Sequence, residues 1–283
     1  MKPFKAIAVS VPVLGAGAAV LAFVAYERAM KEAERAWDKV AAGVHSSNEL
    51  FDPALVRDLP EIARRYFNHA IAPGTPLKSL IELRMEGTFL LGDKDAQQTY
   101  AMKARQILRP PSNFVWIPQM KSGVMRISGS DALIEGEAWS RFWLFGLIPV
   151  ANARSSTDVA RSASFRSAME SIWVPPSLLP ANGVTWEQTG PNTGQVRLRR
   201  VAPEIVLDLT LGNDGSVQKV ACQRWSNANS AGIFQLQPFG GRVSAERSFG
   251  GYTIPSELEV GNHFGTRAYL PFFRARITNA AFR

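Results

Sequence analysis

Cysteine and histidine are scarce in this chain of 283 residues, and their scarcity argues against several kinds of site. The single cysteine, Cys222, permits no internal disulfide and lies too far along the chain to be the lipid-modified cysteine of a processed lipoprotein. The three histidines are His45, His69 and His263, and none has a second histidine three or four residues away. We therefore predict no metal site and no cofactor.

Signatures of common enzyme classes are also missing. The sequence contains no G-x-S-x-G nucleophile motif, no phosphate-binding loop and no dinucleotide-binding glycine pattern. Residues 216–219, SVQK, have the letters of the serine and lysine motif of penicillin-recognising enzymes. They follow a predicted hairpin turn, whereas that mechanism places the serine at the start of a helix. No arrangement in the sequence therefore predicts a reaction.

The basic charge has no pattern typical of nucleic-acid binding. The formal net charge is +8, but the lysines and arginines are scattered along the chain. No helix-turn-helix, zinc-finger or aromatic RNA-binding signature is present. We therefore expect no nucleic-acid partner and interpret the charge as a bias toward an anionic lipid surface.

The N-terminal segment is the one long apolar run of the sequence. Between residues 6 and 26 the only ionisable group is that of Tyr26. At about 1.5 Å per residue, a helix of this length spans roughly 31 Å, the thickness of a hydrocarbon core. The run is longer than the apolar part of a cleavable signal peptide. We predict that residues 1–26 form an uncleaved single-pass anchor in the bilayer.

The charges that flank this run support two orientations. Two lysines precede it and four basic residues follow it, so the positive-inside rule by count places the following domain in the cytoplasm. A signal anchor with a short basic N-terminus, however, commonly keeps that end in the cytoplasm. We favour an inner-membrane protein with a periplasmic domain.

Helical periodicity appears in three places after the anchor. Residues 27–44 are charged and rich in alanine, which favours a helical extension within a linker of residues 27–58. Apolar residues recur at helical spacing over 58–70, with Pro60 in the first turn, and again over 158–173, with Thr157 or Asp158 as the cap. We predict helices in both segments.

From residue 79 onward the apolar residues alternate with period two, which is typical of β-strands. Residues 79–109 predict a hairpin, and G-S-D at 129–131, N-D-G at 213–215 and G-G at 250–251 predict turns. We expect a mainly β (α+β) domain over residues 59–283, with about eleven antiparallel strands and a helical insertion at 140–180. So many strands do not lie flat, so we predict a curved sheet or half-barrel whose concave side the helices cover.

Several motifs resemble an uncharacterised bacterial family of membrane-anchored proteins, domain of unknown function 6544. They are LPEIARRYF at 59–67, G-T-F at 87–89, Trp116, Asp131 with Gly136, FRSAMESIWVPPSLLP at 165–180, Trp186 and RSFGGYTIP at 247–255. The strand layout is also similar to that of the periplasmic lipoprotein carriers (LolA-like), whose unclosed barrel with a helical lid holds acyl chains. The first resemblance implies a shape, and the second implies a hydrophobic ligand.

Six residues are candidates for ligand binding. Arg166 and Glu170 lie four apart on one predicted helix, so they form either a partly exposed ion pair or a pair that faces a cavity. In the second case Arg166 is expected to hold an anionic headgroup. Trp116, Asp131 and Trp173 belong to the motifs above, and Trp143 belongs to an aromatic run at 139–145 that predicts a lid, a membrane-dipping lip or core.

These observations lead to three functional hypotheses. The leading one is an anchored, non-enzymatic protein that holds a lipid or another hydrophobic ligand in the concave side of its sheet. The second is a hydrolase or isomerase of a hydrophobic substrate, with Arg166, Glu170 and Asp131 as its polar groups. The third is an assembly factor for a membrane complex, whose protein partner the sequence does not identify.

Overall fold

A computed structural model of the chain describes residues 7–43, 49–92, 97–199 and 204–283, of which residues 7–16 and 18 are described by their backbone only. Three α-helices are present within these ranges: α1 (Ile7–Ala42), α2 (Glu61–Ala70) and α3 (Thr157–Met169). Short 3-10 helices cover Pro53–Val56, Glu170–Trp173, Pro175–Leu178 and Pro180–Asn182. The helices predicted over 27–44, 58–70 and 158–173 are thus confirmed, with somewhat different bounds.

One antiparallel sheet of thirteen strands makes up the body of the molecule, which confirms the mainly β class with two strands more than expected. Its spatial order is β6-β5-β4-β3-β2-β1-β13-β12-β11-β10-β9-β8-β7. The strands are β1 (Ile81–Leu91), β2 (Gln98–Arg109), β3 (Asn113–Ser122), β4 (Met125–Ile134), β5 (Glu137–Leu144), β6 (Ile148–Ala153), β7 (Val184–Gly190), β8 (Thr193–Leu198), β9 (Ile205–Leu211), β10 (Val217–Ser226), β11 (Gln235–Phe249), β12 (Tyr252–Asn262) and β13 (Leu270–Phe282).

The contacts of α3 show how strongly this sheet curves. The helix leaves one edge strand, β6, leads to the other edge strand, β7, and packs on the way against β4 and β5 as well as β9 and β10. Strands β4 and β10 are seven positions apart, which is about 34 Å in a flat sheet with about 4.8 Å between strands. A helix about 10–12 Å wide touches both only if the sheet curls around it. The two edge strands do not pair, so the half-barrel stays unclosed.

A glycine in the G-T-F motif permits a close approach at the centre of the sheet. Gly87 of β1 pairs with Ala275 of β13, and a Cβ atom at Gly87 would lie 1.9 Å from the carbonyl oxygen of Arg274. Glycines in strand interiors mark sharp bends or close backbone contacts. The glycine of this motif therefore allows the first and last strands, β1 and β13, to pair closely.

The helices lie on opposite faces of the sheet. The C-terminal half of α1 packs its alanines and Val40 on the convex face of β2–β5, where Arg141 donates to Glu32 at 2.6 Å and Arg105 pairs with Glu34. On the concave side, α2 packs Tyr66 and Phe67 against Trp186, with ring centroids 5.3 and 5.4 Å apart. The larger hydrophobic core therefore lies inside the curve.

Three local expectations differ from the structure. The G-S-D segment lies within β4, and the chain turns instead at Glu135 and Gly136, both with positive φ. Strands β5 and β6 occupy most of residues 140–153, so the helical part of the insertion covers only 157–182. Helix α3 is capped by Ser156, whose hydroxyl accepts from the Val159 amide at 3.2 Å, and not by Thr157 or Asp158.

The predicted membrane anchor falls partly outside what the structure describes. The side chains of most of residues 1–18 are not described. In the described part of the chain, no helix is both long enough and apolar enough to cross a membrane. The anchor of residues 1–26 stays a prediction.

Candidate functional site

A cavity of about 610 Å³ lies between the concave face of the sheet and the α3 crossover. Strands from both wings of the sheet contribute to its wall, because the curve brings them to the same helix. Most of the lining side chains are aliphatic or aromatic; they include Phe89, Met120, Ile127, Phe142, Val260 and Phe273. The interior is therefore suited to an apolar molecule with a small polar part.

Five of the six candidate residues line this cavity. Trp116 comes from β3, Asp131 from β4, Arg166 from the last turn of α3, and Glu170 and Trp173 from the 3-10 turn that follows it. The strand residues point inward because they share the concave face with Phe114 and Leu133 in the alternation. The curve thus brings together residues that are up to 57 positions apart in the sequence.

Arg166 binds both carboxylates of the cluster. Its Nε donates to Oε1 of Glu170 at 2.8 Å, and its Nη1 donates to Oδ2 of Asp131. The second carboxylate oxygen of Glu170 accepts from the buried side-chain amide of Gln106 at 2.6 Å. The guanidinium also lies 4.6 Å from the ring centroid of Phe114. These bonds fix α3 to strands β2 and β4.

The pair predicted as partly exposed or cavity-facing is cavity-facing, since Arg166 and Glu170 expose only 16% and 14% of their side chains. Burial works to lower the pKa of Arg166, yet Glu170 and Asp131 together raise it. Burial raises the pKa of Asp131, and the charges of Arg166 and Arg224 oppose that rise without cancelling it. The positive charge of Arg166 is therefore balanced by two carboxylates of the same chain, those of Asp131 and Glu170.

The two cavity tryptophans differ in how their indole nitrogens are used. Nε1 of Trp173 donates to the carbonyl oxygen of Pro255 in β12 at 3.0 Å, which fixes the crossover to the far wing of the sheet. Nε1 of Trp116 is buried and has no hydrogen-bond partner among the described residues. Its ring contacts Phe89, Phe142 and Phe273, with centroids 6.0 to 6.2 Å apart.

Trp143 does not join the other five candidates. Its ring lies on the convex face of β5, with its centroid 5.5 Å from that of Tyr26 in α1. Trp143 is 6% exposed and is not part of the cavity wall. Alternation along β5 explains this placement, because Phe142 points into the cavity and its neighbour must point out. Trp143 therefore belongs to the contact between the sheet and α1.

Arg224 also lines the cavity, although it is not among the six residues predicted from the sequence. A signal for it was present in β10, where Val220, Cys222 and Arg224 alternate on one face. Val220 and Cys222 are buried in the concave core, so the third member is a charge on an otherwise apolar face. Such a charge marks a buried polar position.

Two of the cavity phenylalanines could not be predicted from regular alternation, because the sheet is irregular where they lie. Phe272 and Phe273 are neighbours in β13, so regular alternation would place them on opposite faces. Opposite them, Val260 pairs with Phe273 but Gly261 pairs with Pro271, which leaves Phe272 as an extra residue. Such a bulge redirects side chains, and both rings reach the cavity.

The site contains neither an activated thiol nor an evident metal centre. Burial raises the pKa of Cys222 to about 12, so its thiol stays protonated at neutral pH. Within the described ranges, no three His, Cys, Asp or Glu side chains come together as metal ligands. His69 lies instead on α2, where Nε2 and the Glu246 carboxylate are 2.5 Å apart.

The chain matches one protein family over most of its length. The model of a family of unknown function, DUF6544, matches residues 49–275. The chain belongs to this family. The match covers both wings of the sheet and the α3 crossover, and it contains all the residues of the cavity described above. Comparison with curated proteins found none that matches.

Solved structures with a limited similarity to this DUF6544 domain were also found. A LolA superfamily protein of Nitrosomonas europaea has a TM-score of 0.41 at 8% identity, with 78% of this chain and 92% of that chain covered. A DUF1329 family protein of Desulfovibrio piger has a TM-score of 0.37 at 8% identity, with 78% and 90% covered.

The motifs that carried the resemblance to the DUF6544 family divide between two places. Trp116, Asp131 and the segment from Arg166 to Trp173 form the polar wall of the cavity. Trp186 packs on α2, and Tyr252 donates to the carbonyl oxygen of Pro76 and accepts from the Lys78 amide. The second group secures the chain that precedes β1, so its role is to support the sheet.

Proposed function

We propose that this DUF6544 domain is a non-enzymatic binding protein that holds a lipid or similar hydrophobic ligand beneath α3. The observation that carries the proposal is the cavity of about 610 Å³ with its largely apolar wall. Ligand sites of small molecules commonly enclose about 300–1,000 Å³ and combine apolar walls with a few polar groups. An apolar volume of this size is otherwise rare in a close-packed interior.

The edge strand β6 forms the entrance in this proposal. Val150 and Ala151 line the cavity, and Val150 is 49% exposed. In the described part of the chain, no further strand pairs with the outer edge of β6, because it ends the sheet. A ligand can therefore enter at this edge without breaking a strand pair.

We further propose that the chain is anchored in the inner membrane, with the domain on the periplasmic side and one end of the sheet at the bilayer. Strand directions place the β3–β4, β5–β6 and β10–β11 turns at the same end. Exposed apolar side chains lie on or beside these turns: Val124, Phe145, Leu147, Ile148, Ile233 and Leu236. The position of the N-terminal half of α1 supports this arrangement. Tyr26 lies beside Trp143, near the β5–β6 turn, and the apolar residues 7–25 precede Tyr26 in the same helix.

A fluorescent label can test the bilayer contact, because the one native cysteine is buried and its thiol is protonated. We expect a nitrobenzoxadiazole label on Ile148→Cys to show blue-shifted emission when the full chain is reconstituted in phosphatidylcholine and phosphatidylglycerol vesicles. Nitroxide groups on the lipid chains should quench it. The matched control is Leu55→Cys, another exposed apolar position (46% exposed) at the opposite end of the sheet. Equal, water-like emission at both positions would contradict the orientation.

Native mass spectrometry tests the ligand. After gentle detergent extraction of the full chain, we expect a single-chain lipid bound to it in a 1:1 ratio, since the cavity of about 610 Å³ has room for one acyl chain. A chain that carries no lipid, and that also fails to bind the neutral dye N-phenyl-1-naphthylamine, would refute the binding proposal. A protein bound in fixed stoichiometry would instead favour the assembly-factor hypothesis.

A further inference from the structure

The charges inside the cavity do not pair evenly. Four charged side chains line it: Asp131, Glu170, Arg166 and Arg224. Both carboxylates bind Arg166, as described above. Among the described residues, no ion pair joins Arg224 to a carboxylate. The cluster is neutral in sum, but both carboxylates bind Arg166 directly and neither binds Arg224 directly.

The guanidinium of Arg224 makes a single hydrogen bond within the described residues. Its Nη2 donates to the hydroxyl of Ser162 on α3 at 3.3 Å, and its Cζ lies 4.6 Å from the ring centroid of Phe239. Its Nε is buried and has no hydrogen-bond partner within the described ranges. Burial and the nearby charge of Arg166 lower the pKa of Arg224 more than the charges of Asp131 and Glu170 raise it, although an arginine stays protonated in proteins.

A second donor of the same cavity is also unused. Trp116 Nε1 has no acceptor among the described residues, although its ring is only 3% exposed. Buried donors are nearly always hydrogen-bonded in folded proteins, so each exception calls for a partner. Both of these atoms are donors in residues of the cavity wall, so a ligand with acceptor oxygens would match the polarity of this part of the wall.

We propose that the ligand is an amphiphile with one anionic headgroup, a carboxylate or a phosphate, which accepts from Arg224. This proposal rests on the binding function proposed above and names the class of ligand. The headgroup supplies a carboxylate or phosphate bound directly to Arg224, which the chain itself does not, and a charge-assisted bond is strong in a site with little water. The hydrocarbon chain lies along Phe89, Phe272 and Phe273 on the rest of the wall. Arg166, which the sequence suggested for this role, has its charge already matched by Asp131 and Glu170.

The test compares headgroups on one chain length. Displacement of N-phenyl-1-naphthylamine from the full chain in detergent would be measured with decanoate, 1-decanol and decyltrimethylammonium, and with inorganic phosphate alone. We expect decanoate to bind about tenfold more tightly than 1-decanol, and the cationic compound to bind more weakly than either. Phosphate alone is expected not to displace the dye, because it lacks the hydrocarbon chain.

Variants then assign the preference to one side chain. Arg224→Met should remove the advantage of decanoate and leave the affinity for 1-decanol unchanged, whereas Arg224→Lys should keep part of that advantage. The matched control is Arg141→Met, since Arg141 also lies beside an aromatic ring, 5.3 Å from Trp139, but on the convex face. It should behave like the wild type.

Each negative result would overturn a different part of the proposal. Equal affinity of the wild type for decanoate and 1-decanol would overturn the headgroup proposal while leaving the hydrophobic site intact. Displacement by phosphate alone would overturn the amphiphile in favour of a free anion. No binding of the dye or of any amphiphile would refute the binding function itself. If Arg224→Met does not fold, the headgroup comparison in the wild type and in Arg224→Lys still decides the proposal.

Discussion

Replacing Arg166 with methionine should lower the free energy of unfolding by about 3–5 kcal/mol. The reason is that Asp131 and Glu170, 23% and 14% exposed, would keep their charges in the cavity wall without a cation bound to them. Removal of one member of a buried ion pair costs more than the pair contributes, because the remaining charge stays desolvated. Urea denaturation followed by circular dichroism measures this change.

Two further variants separate this explanation from a general loss of packing. Arg141→Met removes an arginine of similar exposure from the convex face, and its partner Glu32 is 44% exposed to water. That variant should lose less than about 1 kcal/mol. Combining Arg166→Met with Asp131→Asn and Glu170→Gln should recover much of the loss. A triple variant no more stable than Arg166→Met would show that the buried carboxylates are not the cause.

Filling the cavity should abolish ligand binding with little effect on the fold. Val150→Trp at the entrance combined with Val260→Phe on the floor places two rings in the space that a ligand would occupy. We expect the affinity for N-phenyl-1-naphthylamine to fall by more than about tenfold, because one lost buried methylene is already worth about 0.8 kcal/mol. Dye fluorescence titration measures the affinity.

The control for this pair is Val124→Trp, which adds an indole at an 80% exposed position in the β3–β4 turn. It should bind the dye like the wild type. The unfolding midpoints of all three proteins should agree, since the added rings enter empty space instead of displacing packed atoms. Undiminished binding in the filled variant would mean that the dye binds elsewhere and that the cavity is not the site.

Local patterns predicted the strands well where turn chemistry and alternation agreed. The hairpin of 79–109 is present as β1 and β2, and the glycine pair at 250–251 turns β11 into β12 with positive φ at both residues. The expected turn at 129–131 was wrong because Gly129 has another purpose. A Cβ atom there would lie 2.0 Å from the carbonyl oxygen of Arg141, so this glycine lets two strands approach.

The candidate site was predictable in part for the same reason. Spacing on one helix put Arg166 beside Glu170, and that pair exists at 2.8 Å. The spacing gave no information on Asp131, 35 positions earlier, which takes the other side of the guanidinium. Arg224 could have been predicted from the sequence, since it is a charged residue at a position where the alternation of the strand predicts an apolar one. Whether it has a counter-ion depends on strands that the chain places far away.

The sequence by itself determined the strand periodicity, the pairing of Arg166 with Glu170 and the apolar character of the N-terminal run, because each depends on residues a few positions apart. It also indicated the family, through short motifs of neighbouring residues. Tertiary structure alone decided the pairing of β1 with β13, the face on which Trp143 lies and which arginine the carboxylates neutralise. These features depend on how a thirteen-stranded sheet bends around one helix. That bend is the sum of many small strand twists and close glycine contacts, which no short stretch of the chain encodes.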